Sequence, residues 1–196
     1  LSMGLPNTPL TGARLRILGG NVVTAKPIGI HDGVDYLHSG TVRRVDVEGV
    51  RGILDQDAIA LLSPLGYSPA GAIFSVSASE VAEKVAVAIG ADKLIFLDRQ
   101  PGLHTADGEL IRQCTIDAAW ALNLVEPEQQ RLRGSACRSC ISGVPRSHLL
   151  SFEREGALLE AARGAAADGA ATIYISCAQH ACSRPINSIR PSRTYS

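Results

Sequence analysis

The spacing of apolar residues is most readable between Ala58 and Gly102. Ile59–Leu62 is a short apolar run that stops at Ser63-Pro64-Leu65-Gly66, so a strand followed by a turn is predicted there. Ser77 and Glu80 have the S-x-x-E spacing of a capping box, and Gly90 supplies a stop signal. Between them Val81, Val85 and Ile89 recur every four residues, which lays them on one face of a helix. Leu94–Leu97 is an unbroken apolar run, as expected of a parallel strand covered on both faces. Strand, turn, helix and strand make a βαβ unit. The predicted fold class is therefore α/β, an open, mostly parallel sheet with helices on both faces.

The remaining segments are shorter. Arg14–Leu18 and Val22–Ala25 flank Gly19-Gly20-Asn21 and predict a hairpin, with no phosphate-loop pattern after the glycines. Gly40–Val47 predicts a strand, Glu48–Asp55 a short helix and Ser68–Gly71 a second turn. Thr105–Ile111 predicts a hairpin around Asp107-Gly108. A helix containing Trp120 is predicted over 115–124, and 127–143 reads as mixed, helical toward its end. Ser147–Leu150 and Thr172–Ser176 read as strands, with an alanine-rich helix, Gly156–Ala167, between them. Periodicity stops there. Residues 1–176 are expected to form one domain. Residues 177–196 hold no acidic residue and read as an unassigned, out-of-frame tail.

Composition narrows the classes. The chain is 45% hydrophobic and can bury a core, and its formal net charge of zero argues against nucleic acid or an anionic membrane surface as partner. Ala58–Ser79 carries no charge, but Pro64, Gly66, Pro69 and Gly71 break it, so a membrane span is not expected. Five cysteines, an odd number, without a secretory signal pattern read as reduced thiols in a cytoplasmic protein.

Several segments together resemble a known family. SPLGYSPAG, SVSASEVA and AIGADKLIFLDRQPG are similar to the nucleotide-side lobe of the amino-acid kinase family. GVDYLHSGTVRRVD and SGVPRSHLLSFEREGALLE resemble, more narrowly, the amino-acid kinase-like domain of bacterial N-acetylglutamate synthases. The likeness runs from about Ser2 to Leu159. It implies a domain that senses L-arginine as an allosteric ligand and phosphorylates nothing. The parent would be a homo-oligomeric amino-acid N-acetyltransferase of arginine biosynthesis, moving acetyl from acetyl-CoA to L-glutamate. The resemblance also implies truncation at both ends, before the domain's glycine-rich anion loop and after it, where the acetyltransferase domain follows. No cofactor is expected in this chain, acetyl-CoA being a substrate of the parent. The isolated chain is expected to be inactive as an acetyltransferase and to expose an unpaired sheet edge that leaves it marginally stable.

The resemblance also assigns candidate residues, none of them catalytic. Kinases of the family place an aspartate at the position matching Ser79 and asparagines at Ser75 and Ser77; serine cannot supply that negative charge. Ser63, Gly66, Ser79 and Asp98 would then be a vestigial nucleotide-side loop, with helix capping at Ser75–Ser79 and a plain turn role at Asp98 as the alternatives. For arginine, whose guanidinium suits a bidentate carboxylate, the matching segment offers His148, Ser151, Glu155, Gly156, Glu160 and Gly169. The family's guanidinium-binding glutamate aligns with Ala161, so Glu160 is either the ligand after a local shift or a solvated helix residue. The alternatives are an ATP-dependent acetylglutamate kinase and a non-enzymatic arginine-binding module.

Two further patterns carry less. Arg131-Leu132-Arg133-Gly134-Ser135-Ala136 fits the R-x-x-G-x-A loop that holds the acetyl-CoA pyrophosphate in acetyltransferases, but no strand precedes it. Cys137 and Cys140 form a C-x-x-C that Cys177, His180 and Cys182 could extend to a metal site. The looser second spacing, and the resemblance, favour buried thiols over metal.

Overall fold

The computed structural model describes residues 16–100, 102–105, 107–154, 158 and 173–176. The elements in chain order are β1 (Ile17–Leu18), β2 (Val23–Pro27), β3 (Ile30–His31), β4 (Val34–Asp35), β5 (Gly40–Val45), α1 (Val47–Leu54), β6 (Ile59–Ala60), β7 (Leu65–Tyr67) and β8 (Ile73–Ser75). They continue with α2 (Ala78–Ile89), β9 (Leu94–Asp98), β10 (Leu103–His104), β11 (Leu110–Ile111), β12 (Gln113–Thr115), α3 (Ile116–Ala121), α4 (Pro127–Ile141), β13 (Arg146–Ser151) and β14 (Ile173–Ser176). The fold is α/β, with helices on both faces of mixed sheets.

Two four-stranded sheets carry it. The first has the order β5-β2-β7-β8, and a bridge between Ser39 and Ser75 joins its last strand back toward its first. The second has the order β12-β14-β13-β9; β13 runs parallel to β9 and antiparallel to β14, and β12 parallel to β14. Each sheet has its own core. Val22, Val23, Ala25, Val45, Val50, Phe74, Val76 and Val81 fill the first. Leu94, Phe96, Leu103, Leu132, Ala136, Cys137 and Leu149 are central to the second.

Helix α2 divides the cores because its sequence is apolar on two sides. Val85, Ala88 and Ile89 pack with Val81 on the first core, while Ala82, Ala86 and Val87 belong to the second. Its stop is the one the sequence predicts: Gly90 caps it in the left-handed conformation, φ +70°, where a side chain would be strained. Its start is not. Ser77 is the N-cap residue but makes no side-chain capping bond, and its hydroxyl meets that of Ser79 at 2.9 Å. Glu80 turns away from the cap and accepts the Val42 N–H at 3.0 Å, so the expected capping box is replaced by a tie from α2 to β5.

Other expectations need correction. The predicted hairpin around Gly19-Gly20-Asn21 does not form, because β1 pairs in parallel with β6 while β2 pairs with β5 and β7. The apolar pattern marks the strands without naming their partners. Leu65-Gly66 is not a turn but the start of β7, which pairs with β8. Gly66 is needed there for space, since an added Cβ would collide with Ala25 Cβ. Leu97 at the end of β9 is exposed, so that strand is not covered on both faces throughout. Residues 127–141 are one continuous helix opened by Pro127 at its first turn. The predicted helix over 115–124 shortens to α3, and the 105–111 hairpin forms as β10–β11. The alanine-rich segment and the tail lie outside the described residues, save Leu158.

Candidate functional site

Two places gather the predicted residues. The first is a cavity of about 450 Å³ lined by Ser77, Ser79 and Glu80 of the α2 N-terminus and by Pro127, Gln130, Arg131, Ser135 and Arg138 of α4. β8 delivers Ser77 and Ser79 to the cavity mouth, and the long reach of α4 supplies the cations. Arg138 is fixed there by a carboxylate in the protein interior. Its Nη2 donates to Glu83 Oε2 at 2.8 Å and to Ser135 Oγ at 3.1 Å, and its Nε lies 3.1 Å from the same Oε2. Glu83 is 2% exposed, and Lys84 Nζ lies 3.1 Å from its Oε1. Gly134 leaves room for this arrangement, since a Cβ there would sit 2.9 Å from Arg138 Nη1.

The chemistry of the cavity follows from what is already engaged. Its lining carboxylate, Glu80, accepts a backbone N–H of β5, and Glu83 behind it holds Arg138. Arg131 makes an exposed pair with Glu128 at 3.2 Å, worth little in water. The space therefore presents hydroxyls, arginine and the unsatisfied N–H end of a helix, a setting for an anion. Position 79 brings a serine hydroxyl to it and no carboxylate.

The second place is the carboxyl end of the parallel pair β9–β13, where Asp98 stands opposite Ser151. Ligands of open α/β sheets sit at such strand ends. Asp98 is half-buried and its Oδ1 accepts the Arg99 N–H at 2.7 Å. Ser151 Oγ donates to the Arg99 carbonyl at 2.8 Å and accepts the Glu153 N–H at 3.2 Å. One residue of the vestigial nucleotide set and one of the arginine set thus meet. The two places are neighbours: Gln129 in the first turn of α4 donates to Gln100 just beyond Asp98, at 2.6 Å.

The other predicted residues scatter. Ser63 is exposed in the β6–β7 loop, and Gly66 serves strand packing. His148, two positions before Leu150 on β13, is wholly buried. Burial, with Lys93 and Arg146 nearby, holds it down to about 4 and therefore neutral near pH 7. Glu155, Gly156, Glu160 and Gly169 lie outside the described residues. Arg131, Gln130, Ser135 and Arg138 were not predicted as a site. Arg131 and Ser135 fall in the R-x-x-G-x-A match, which the structure places inside α4, where it is not a loop; Gln130 and Arg138 lie outside that match.

The cysteine pair is also helical and internal. Cys137 and Cys140 face the second core, and burial pushes the Cys137 thiol up to about 12, so it stays protonated and unreactive. Cys140 Sγ donates to Ser147 Oγ at 3.4 Å, beside a 2.8 Å contact between the Ser139 and Ser147 hydroxyls that ties α4 to β13. Among the described residues no group of three His, Cys, Asp or Glu side chains is placed to hold a metal ion, and no helix is long and apolar enough to cross a membrane. Cys177, His180 and Cys182 lie outside them.

The chain belongs to the amino acid kinase family, whose model matches residues 1–136. It is 48% identical over 161 residues to the amino-acid acetyltransferase of Azotobacter vinelandii, a match covering 81% of this chain and 37% of that protein. The fold is similar to the N-acetylglutamate synthase of Neisseria gonorrhoeae solved with coenzyme A and L-arginine, with TM-score 0.75 and 31% identity over 81% of this chain and 38% of that one. The same synthase with coenzyme A and N-acetyl-glutamate gives TM-score 0.72 and 33% identity over 76% and 35%. The chain spans less than two fifths of the length of these relatives.

Proposed function

We propose that this chain is the amino-acid kinase-like, arginine-sensing part of an N-acetylglutamate synthase. The parent transfers acetyl from acetyl-CoA to L-glutamate at the head of arginine synthesis, as a cytoplasmic homo-oligomer. The observation that carries this reading is the 48% identity to an amino-acid acetyltransferase over most of the chain. The site agrees with it. Ser79 stands where a kinase needs an acid, so the cavity keeps its cations without a phosphotransfer centre. Asp98 and Ser151 offer a carboxylate and a hydroxyl at a strand end, chemistry that suits the guanidinium or amino group of arginine. The ligand set would be completed by Glu155, Gly156, Glu160 and Gly169, with His148 supporting the strand from behind.

Thermal denaturation with millimolar L-arginine tests the sensing role. The midpoint should rise with L-arginine and stay fixed with L-lysine and L-ornithine. Equal shifts with all three, or none, would remove it. The chain alone should show no acetyl transfer from acetyl-CoA to glutamate above a denatured control.

A further inference from the structure

A buried side-chain contact joins the cavity to the strand end. Gln129 stands in the first turn of α4 and is 8% exposed. Its Nε2 donates to Gln100 Oε1 at 2.6 Å. Leaving a buried amide without its partner costs free energy, so the first turn of α4 is tied to wherever the chain after β9 holds Gln100.

That stretch of chain is set by the strand end. Asp98 Oδ1 accepts the Arg99 N–H at 2.7 Å, and Ser151 Oγ donates to the Arg99 carbonyl at 2.8 Å. The Phe152 N–H donates to the Asp98 carbonyl at 3.0 Å. These bonds fix residues 98 and 99 against the end of β13, and Gln100 follows directly. Its side chain is exposed and has room to move. A guanidinium that takes both oxygens of Asp98 draws on the same Oδ1 that now holds the Arg99 N–H. The bond that orients the chain into Gln100 therefore changes when this carboxylate turns to a ligand.

The far side of the contact is able to respond. Glu126, the N-cap residue of α4, makes no side-chain capping bond, and Pro127 supplies no N–H. Gln130 Nε2 gives the turn a second side-chain tie, to the Leu124 carbonyl at 2.7 Å. An uncapped helix end held in this way belongs to the less stable parts of a fold. Pro127, Gln130 and Arg131 of this stretch line the cavity, and the Glu128 that pairs with Arg131 travels with them. Whatever moves the turn moves one wall of the cavity and one of its arginines.

We propose that Gln100 and Gln129 form a relay, through which L-arginine held by Asp98 at the strand end sets the first turn of α4 and the place of Arg131 in the cavity. Both glutamines are positioning residues. The relay rests on the arginine-sensing reading of the strand end. A ligand shifts such an equilibrium only by its difference in affinity for the two arrangements, and the Gln100–Gln129 bond is the contact that differs between them.

Hydrogen exchange of the full 196-residue chain, read by mass spectrometry over residues 128–131, tests this beside calorimetric titration with L-arginine. Saturating L-arginine should slow exchange there about threefold or more in the wild type, and L-lysine should leave it unchanged. Gln100→Leu removes the acceptor at an exposed position, where the fold tolerates the change. It should still bind L-arginine, with exchange at 128–131 no longer responding. Gln100→Glu keeps an acceptor for Gln129 and should keep the response. Gln129→Met breaks the same bond from the buried end at nearly constant volume and should behave as Gln100→Leu does. No binding by the wild type removes the arginine-sensing reading and the relay with it. Binding without slower exchange in α4 overturns the relay alone. So does a response that survives Gln100→Leu, or one that Gln100→Glu abolishes.

Discussion

The cavity between α2 and α4 and the end of the β9–β13 pair lie on either side of the first turn of α4, joined by Gln100 and Gln129, yet their chemistry is opposite. The cavity has arginines and serine hydroxyls, with its carboxylates committed to Val42 and Arg138. The strand end has a half-buried carboxylate, Asp98, beside Ser151, and suits a cation. The difference teaches that two adjacent places on one fold present opposite charge when the carboxylates of one are engaged in internal contacts and that of the other is left half-exposed.

The largest expected effect concerns the strand behind the second place. His148 is neutral in the folded chain down to about pH 4, whereas the unfolded chain takes up the proton near 6.5. Stability from this residue is therefore complete above pH 6.5, falls as pH drops toward 4 and levels off below it. The shift corresponds to a loss of about 3 kcal/mol. Urea midpoints measured across that window should fall for the wild type and fall less for His148→Leu. Parallel slopes would mean that the carboxylates alone set the acid limit.

The next effect tests the wall of the cavity. Arg138→Ala strips the buried Glu83 of its main partner, leaving Lys84 beside it, and should cost about 2 kcal/mol in urea unfolding. Replacing both partners, Glu83→Leu with Arg138→Leu, should recover most of that loss, because no charge is then left buried. If the double variant is the less stable, the pair is a net stabiliser of the α2–α4 contact.

How far these places were legible differs for physical reasons. Gly90, Leu94–Leu97 and the hairpin turn at Asp107-Gly108 are local signals, and local geometry follows them. The cavity wall was less legible. α4 buries Gln129, Gly134, Ser135 and Ser139 alongside Leu132 and Ala136, and small polar residues on a buried face erase the apolar period that marks a helix. Glu83 and Arg138 are 55 residues apart, and no pattern along the chain pairs them. The Glu80 carboxylate fitted a capping box by spacing and went instead to a strand edge that only the tertiary fold brings near. In the same way, the period-two runs around Gly19-Gly20 announced strands but left their sheets undetermined.

A smaller effect bears on the strand end. Asp98→Asn keeps size and the Arg99 N–H contact but removes the charge, and under the arginine-sensing reading should weaken L-arginine binding about tenfold, near 1.4 kcal/mol. Calorimetric titration measures it. Unchanged affinity would return Asp98 to a plain turn role and leave recognition to the segment after Ser151.

The smallest effect comes from placing an acid at position 79. Ser79→Asp puts a carboxylate in the first turn of α2, facing a cavity with Arg131 and Arg138, and should stabilise the chain by about 0.5 kcal/mol through the helix end. Phosphate transfer from ATP to N-acetylglutamate should remain at background, because one carboxylate does not rebuild the set of cations and positioning groups that the reaction needs. Turnover in Ser79→Asp, absent from the wild type, would show that the cavity is a phosphotransfer site short of a single group. The contrast between the two places would then reduce to that one side chain.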